Sequence, residues 1–132
     1  MKLQNIIATL LLIMVSQSVV AIGVIIHNNY QEPVGVDPIW SGNPRGYMQL
    51  AYRGNHYYRT GIHHLKGLKV SYANGDCYYY NFEQKDIPSL RGTGSIDIFI
   101  GSPGSKIPLS GYTDMLIKGQ FMVDVSATKV NC

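Results

Sequence analysis

The chain is short of cysteine, of charge and of long apolar runs. Of its 132 residues only Cys77 and Cys132 are cysteine, 14% are charged and one is tryptophan. No Cys or His spacing matches a zinc site. His63 and His64 are adjacent, so within a strand they would face opposite sides and could not share one ion. No metal and no cofactor is therefore expected. There is no G-x-S-x-G nucleophile elbow, and a cysteine held in a disulfide is no nucleophile. The run GSPGSK at 101–106 lacks the spacing of a phosphate loop and reads as a turn between strands. No N-x-[ST] sequon occurs, which fits a bacterial source. Beyond Ile26 no segment is apolar enough for long enough to cross a bilayer as a helix, so the chain is not expected to span a membrane.

The one long apolar run sits at the beginning. Lys2 precedes the mostly apolar stretch Ile6–Val15, polar Ser16, Gln17 and Ser18 follow, and Val19-Val20-Ala21 places small residues before a cleavage point. This is the pattern of a secretory signal peptide over 1–21. Residues 22–132 are then expected to form a single β-rich domain in a periplasmic or extracellular location. An exported chain with two cysteines is expected to join them, and Cys77–Cys132 would close a loop of more than 50 residues.

Helical periodicity is scarce, whereas period-2 runs rich in β-branched and aromatic residues recur between Gly, Pro, Asn and Asp. Strands are expected over Ile22–His27, Tyr47–Arg53, His56–Ile62, Leu68–Tyr72, Asp76–Glu83, Ser95–Ile100, Met115–Lys118 and Gln120–Thr128. Residues 28–45, with Pro33, Pro38 and Pro44, read as loop or edge structure. Residues 84–94 are the least patterned and could hold a helical turn. Seven or eight short strands imply an all-β fold, an antiparallel β-sandwich or small barrel with little or no helix.

The stretch NGDCYYYNF at 74–82 can be read in two registers. A two-residue Asn74-Gly75 turn would put Tyr78, Tyr80 and Phe82 on one face with Lys69 and Ser71, as an exposed aromatic strip. A three-residue connection, Ala73-Asn74-Gly75, would instead gather Leu68, Val70, Tyr72, Tyr78, Tyr80 and Phe82 on one face. Lys69, Ser71, Cys77, Tyr79 and Asn81 would lie on the other. Asn-Gly is the usual two-residue signal, but face patterning fixes register where one face is buried. It favours three residues, with Cys77 on the outer face where a C-terminal tail could cross and be pinned.

Charge is segregated along the chain. No acidic residue lies between Asp37 and Asp76, while that window holds Arg45, Arg53, Arg59, Lys66 and Lys69, together with His56, His63, His64, five tyrosines and Trp40. If its hairpins lie together, one flank is positive and attracts anions. Arginine offers a bidentate fork to phosphate, sulfate or carboxylate, and tyrosine adds an apolar face with a polar tip. Histidine changes charge near pH 6.5, so such a site would respond to pH.

The sharpest local group is the expected Gly54-Asn55 hairpin tip. In a simple register Arg53 opposes His56 and Ala51 opposes Tyr58, so Arg53, His56 and Tyr58 share a face. The expected ligand-binding residues are Arg53, His56, Tyr58, Arg59, Lys66 and Lys69, serving a small secreted, non-enzymatic binding module. An anionic lipid headgroup or acidic glycan is the expected partner; nucleic acid is a poorer candidate for an exported protein. Two alternatives stand beside it. One is a small ribonuclease-like hydrolase with His56 as general base and Glu83, His63 or His64 as its partner. The other is an envelope or effector protein that binds another protein through exposed tyrosines.

Overall fold

The computed structural model describes residues 22–42, 47–59, 64–88, 94–113 and 120–132. The expected signal peptide, the strand expected over Met115–Lys118, and Arg45 and His63 lie outside these residues. Ten strands are present among the described residues: β1 Ile22–Asn28, β2 Val34–Trp40, β3 Met48–Leu50, β4 Asn55–Arg59, β5 Leu65–Tyr72, β6 Cys77–Asn81, β7 Gly94–Ile100, β8 Ile107–Thr113, β9 Phe121–Val125 and β10 Thr128–Val130. They form two five-stranded sheets, β4-β1-β7-β8-β9 and β10-β6-β5-β2-β3. The two pack as a β-sandwich on one hydrophobic cluster, and no helix occurs among the described residues.

Alternation builds the core. Ile96, Ile98 and Ile100 of β7 all point inward and are fully buried, and they meet Val24 and Ile26 of β1 and Ile107 and Leu109 of β8. The facing layer comes from Val34 and Val36 of β2, Leu68 and Val70 of β5, and Tyr80 of β6. Burying one such aliphatic side chain stabilises the fold by about 1.5–3 kcal/mol. On β9, Phe121, Val123 and Val125 turn toward the core while Met122 and Asp124 are exposed, which is the alternation expected there.

The β5–β6 hairpin has the three-residue connection. Val70 opposes Tyr78 and Leu68 opposes Tyr80. The Tyr72 N–H donates to the Asp76 carbonyl at 2.9 Å and the Gly75 N–H to the Tyr72 carbonyl at 3.0 Å. Gly75 has φ 92°, the left-handed position that a glycine takes without Cβ strain. Core burial has thus overridden the two-residue preference of Asn-Gly. Tyr72 and Tyr80 are buried, and Tyr78 is half-buried at the rim. The Tyr72 hydroxyl donates to the Gly101 carbonyl at 2.8 Å, and the Tyr80 hydroxyl to the Ser105 carbonyl at 2.7 Å. The GSPGSK segment is therefore a turn between β7 and β8, held by two tyrosines of the opposite sheet.

Several features differ from the sequence reading, among them the strand expected over Gln120–Thr128, which is β9 in one sheet and the start of β10 in the other. Val34–Trp40 is a strand despite its proline: the ladder to β3 ends at Val36↔Met48, so Pro38 lies beyond it and needs no N–H on that side. Ile107–Thr113 is also a strand, although Pro108 and Gly111 interrupt its pattern. β1 and β7 run parallel, every other ladder being antiparallel; all of β2–β6 forms their long crossover, as a parallel pair requires. The C-terminal tail is itself a strand before it is pinned at Cys77. It runs as β10 along β6, with Val130 opposite Cys77, and the Cys77–Cys132 disulfide fastens it there. Residues 84–87 hold a single turn, closed by the Ile87 N–H on the Gln84 carbonyl at 3.1 Å.

Candidate functional site

The residues singled out from the sequence divide between the two sheets. β3 pairs with β2 in one sheet and β4 with β1 in the other, so the expected Gly54-Asn55 hairpin does not form. Arg53 does not oppose His56, nor Ala51 Tyr58; His56 opposes Ile26 and Tyr58 opposes Val24. The chain turns at Ala51–Gly54, where the Gly54 N–H donates to the Ala51 carbonyl at 2.7 Å, and then passes from one sheet to the other. Arg53, not a glycine, takes the left-handed conformation, with φ 61°.

Asn28 at the end of β1 secures this crossing. It is the one buried polar side chain among the described residues. Its amide donates to the carbonyls of Glu32 and Leu50 at 2.9 and 3.0 Å, and its side-chain oxygen accepts the Tyr30 N–H at 2.9 Å. Its own backbone exchanges bonds with the turn, Asn28 N–H to Gly54 carbonyl and Arg53 N–H to Asn28 carbonyl, both 2.9 Å. The position of Arg53 is thus fixed by a residue the sequence reading passed over, because no local pattern marks a capping asparagine at a strand end.

β4 forms an edge of its sheet and alternates strictly. His56 and Tyr58 turn inward and are half-buried; Asn55, Tyr57 and Arg59 turn outward and are exposed. The His56 ring meets the Tyr58 ring edge-on at 4.4 Å. Tyr58 in turn packs on Trp40 at 5.8 Å and points its hydroxyl at the Met48 sulfur, 3.6 Å away. Tyr58 is therefore a wall between the sheets, not a free ligand contact. Arg53 lies over the Tyr52 ring, with its guanidinium carbon 5.2 Å from the centroid. Tyr52 and Tyr57 are 49% and 54% exposed, so Arg53, Arg59 and two tyrosines reach solvent along this edge, with His56 behind them.

Lys66 and Lys69 belong elsewhere. Both are on β5 in the other sheet, and acids from outside the basic window meet them. Lys66 lies 3.8 Å from Glu83, as does His64. Lys69 stands opposite Asp37, and its ammonium donates to the Cys132 carbonyl at 3.3 Å. The sequence window free of acid is therefore not an acid-free surface. Among the described residues, Arg53, His56 and Arg59 have no carboxylate within ion-pair distance; the ion pairs of the described chain are His27–Asp97, His64–Glu83, Lys66–Glu83 and Lys129–Asp76.

Two further features carry no sequence signal. His27 and Asp97, 70 residues apart, meet at 2.8 Å on the outer face of the first sheet, where the His27 ring stacks on Phe99 at 4.8 Å. A cavity of about 460 Å³ lies between β8 and β9 against Tyr112 and Met122. None of the residues singled out from the sequence lines it. No group of three or more metal-ligating side chains occurs among the described residues, and no described helix is long and apolar enough to cross a membrane. No family model, curated protein or solved structure matches the chain.

Proposed function

We propose that this protein is a small exported binding module, without enzymatic activity, that engages an anionic ligand along the β4 edge. The observation that carries the reading is that Arg53, in the turn before β4, and Arg59, at the far end of β4, are exposed and unmatched by any carboxylate among the described residues, with Tyr52 and Tyr57 also exposed. Lys66 and Lys69 are outside this site. The guanidinium groups supply forked donors to phosphate, sulfate or carboxylate, and the tyrosines supply contact area at low entropic cost. The Cys77–Cys132 disulfide is compatible with an oxidising compartment.

The hydrolase alternative needs a carboxylate or a second histidine beside His56. Glu83 is engaged with His64 and Lys66 on the other sheet, and the ring neighbour of His56 is Tyr58. The binding reading is tested with heparin and with vesicles containing phosphatidylglycerol, at low and high salt. Saturable binding that weakens as salt rises supports it. Absence of binding to both probes at low salt ends it, and salt-insensitive capture of a protein would move the function to the protein-partner alternative.

A further inference from the structure

The outer face of the second sheet carries a separate shallow cavity of about 250 Å³. Its floor follows one row of the ladder: Ser71 opposes Gly35, and Gly35 opposes Gln49. Glycine and serine keep that floor low. Its wall is Tyr47, which is 59% exposed and lies across Gly35 so closely that a Cβ there would overlap the ring. Lying against the sheet, the ring is held before any ligand arrives, and a contact surface ordered in advance costs less on binding.

The polar groups at this cavity are the Gln49 amide, the Ser71 hydroxyl and the Tyr47 hydroxyl, and no ionised side chain lines it. Asp37 and Lys69 stand one row away as opposite charges in register, so the neighbouring field has no net sign. A ligand matched to these groups is uncharged, carries several hydroxyls and has an apolar face to set against a phenol ring. We propose that this cavity is a binding site for a neutral saccharide unit, with Tyr47 stacking on the ring and Gln49 and Ser71 hydrogen-bonding its hydroxyls. The site shares no residue with the Arg53–Arg59 edge and stands or falls separately from it.

The test is an NMR shift titration of the full chain with neutral glucose-, mannose-, galactose- and N-acetylglucosamine-based oligosaccharides at millimolar concentration. At least one series is expected to shift amides around Gly35, Gln49 and Ser71, with an affinity indifferent to salt. Tyr47→Ala should abolish the shifts. Gln49→Ala should weaken binding about fivefold, the worth of one hydrogen bond, and it provides the readout should Tyr47→Ala fail to give a folded spectrum. Reversing Arg53 and Arg59 to glutamate should leave saccharide binding intact. The proposal is overturned if no series shifts this row, if both variants bind like the parent, or if binding is lost with Arg53 and Arg59.

Discussion

Asp37 stands directly opposite Lys69 on adjacent antiparallel strands. The two residues bracket almost the whole basic window in sequence, yet folding sets the last acid before the window against its last base. Glu83 does the same for Lys66 from the far side. The lysines thus lie on a different sheet from Arg59. Lys66→Glu with Lys69→Glu should leave heparin binding within about twofold of the parent, because these charges lie on the other sheet, away from Arg53 and Arg59. Arg53→Glu with Arg59→Glu should weaken it by about tenfold or more, as two charge-assisted contacts become repulsive. Affinity chromatography across a salt gradient measures both. Equal losses from the two pairs would return the site to the broad basic face.

Asn28 offers a test of how the Arg53 turn is held. Asn28→Ala leaves the Glu32 and Leu50 carbonyls and the Tyr30 N–H without their side-chain partner. Leaving buried polar groups unpaired costs about 1–3 kcal/mol. The expected result is a lower urea midpoint, with faster amide exchange at Arg53, whose N–H donates to the carbonyl of residue 28, and at residue 28 itself, whose N–H donates to the Gly54 carbonyl. If the midpoint does not move, the turn is held by β4 pairing alone.

How much was legible follows from which signals are local. Ile96, Ile98 and Ile100 announce their strand and its buried face, and Leu68–Phe82 announces both a hairpin and its register, because alternation and a nearby turn suffice. At Gly54 the sequence marks a change of direction but not the partner: β4 pairs with β1, some thirty residues upstream, and nothing at 54–55 encodes that. β2 and β8 are obscured by Pro38, Pro108 and Gly111, each tolerated for a reason that exists only in the assembled sheet. At Gly111, φ is 152° and a Cβ would overlap the Ser95 backbone. The candidate site suffered from the same limit. Arg53 and Arg59 could be named, but Glu83, which pairs with Lys66, and Asp37, which stands opposite Lys69, come from outside the window, and linear charge counting cannot see them.

The disulfide fastens a strand that has little else. β10 pairs with β6 over only Thr128, Lys129 and Val130, and its one ion pair, Lys129–Asp76 at 3.4 Å, is exposed. Cys77 and Cys132 are 55 residues apart, a separation for which the chain-entropy model gives about 4 kcal/mol, with measured values often lower. Cys77→Ser with Cys132→Ser is expected to lower unfolding free energy by about 2–4 kcal/mol and to release β10 first, seen as loss of amide protection at Val130 while β7 stays protected. Unchanged protection at Val130 would show that the ladder holds without the bond.

Alkaline stability reads the two tyrosines that tie the sheets together. Burial is the main cause that lifts both Tyr72 and Tyr80 above the ordinary tyrosine value of 10.0. Their neighbouring hydroxyls enter second, raising Tyr72 further and partly offsetting the rise at Tyr80. Below the unfolded value neither state is ionised and the stabilisation is fully present. As pH rises above about 10 the unfolded chain loses these protons while the folded chain keeps them, so the unfolded state binds fewer protons and stability falls with pH. The decline continues until the folded values are reached, at no more than about 1.4 kcal/mol per pH unit for each tyrosine. Urea midpoints should therefore stay flat at mildly alkaline pH and then drop. Tyr72→Phe with Tyr80→Phe should begin lower, by about 1 kcal/mol for each hydrogen bond lost to Gly101 or Ser105. It should then fall less steeply, since phenylalanine has no proton to lose. A double variant with the parent's alkaline slope would assign that slope to other groups and remove these two hydroxyls as its source.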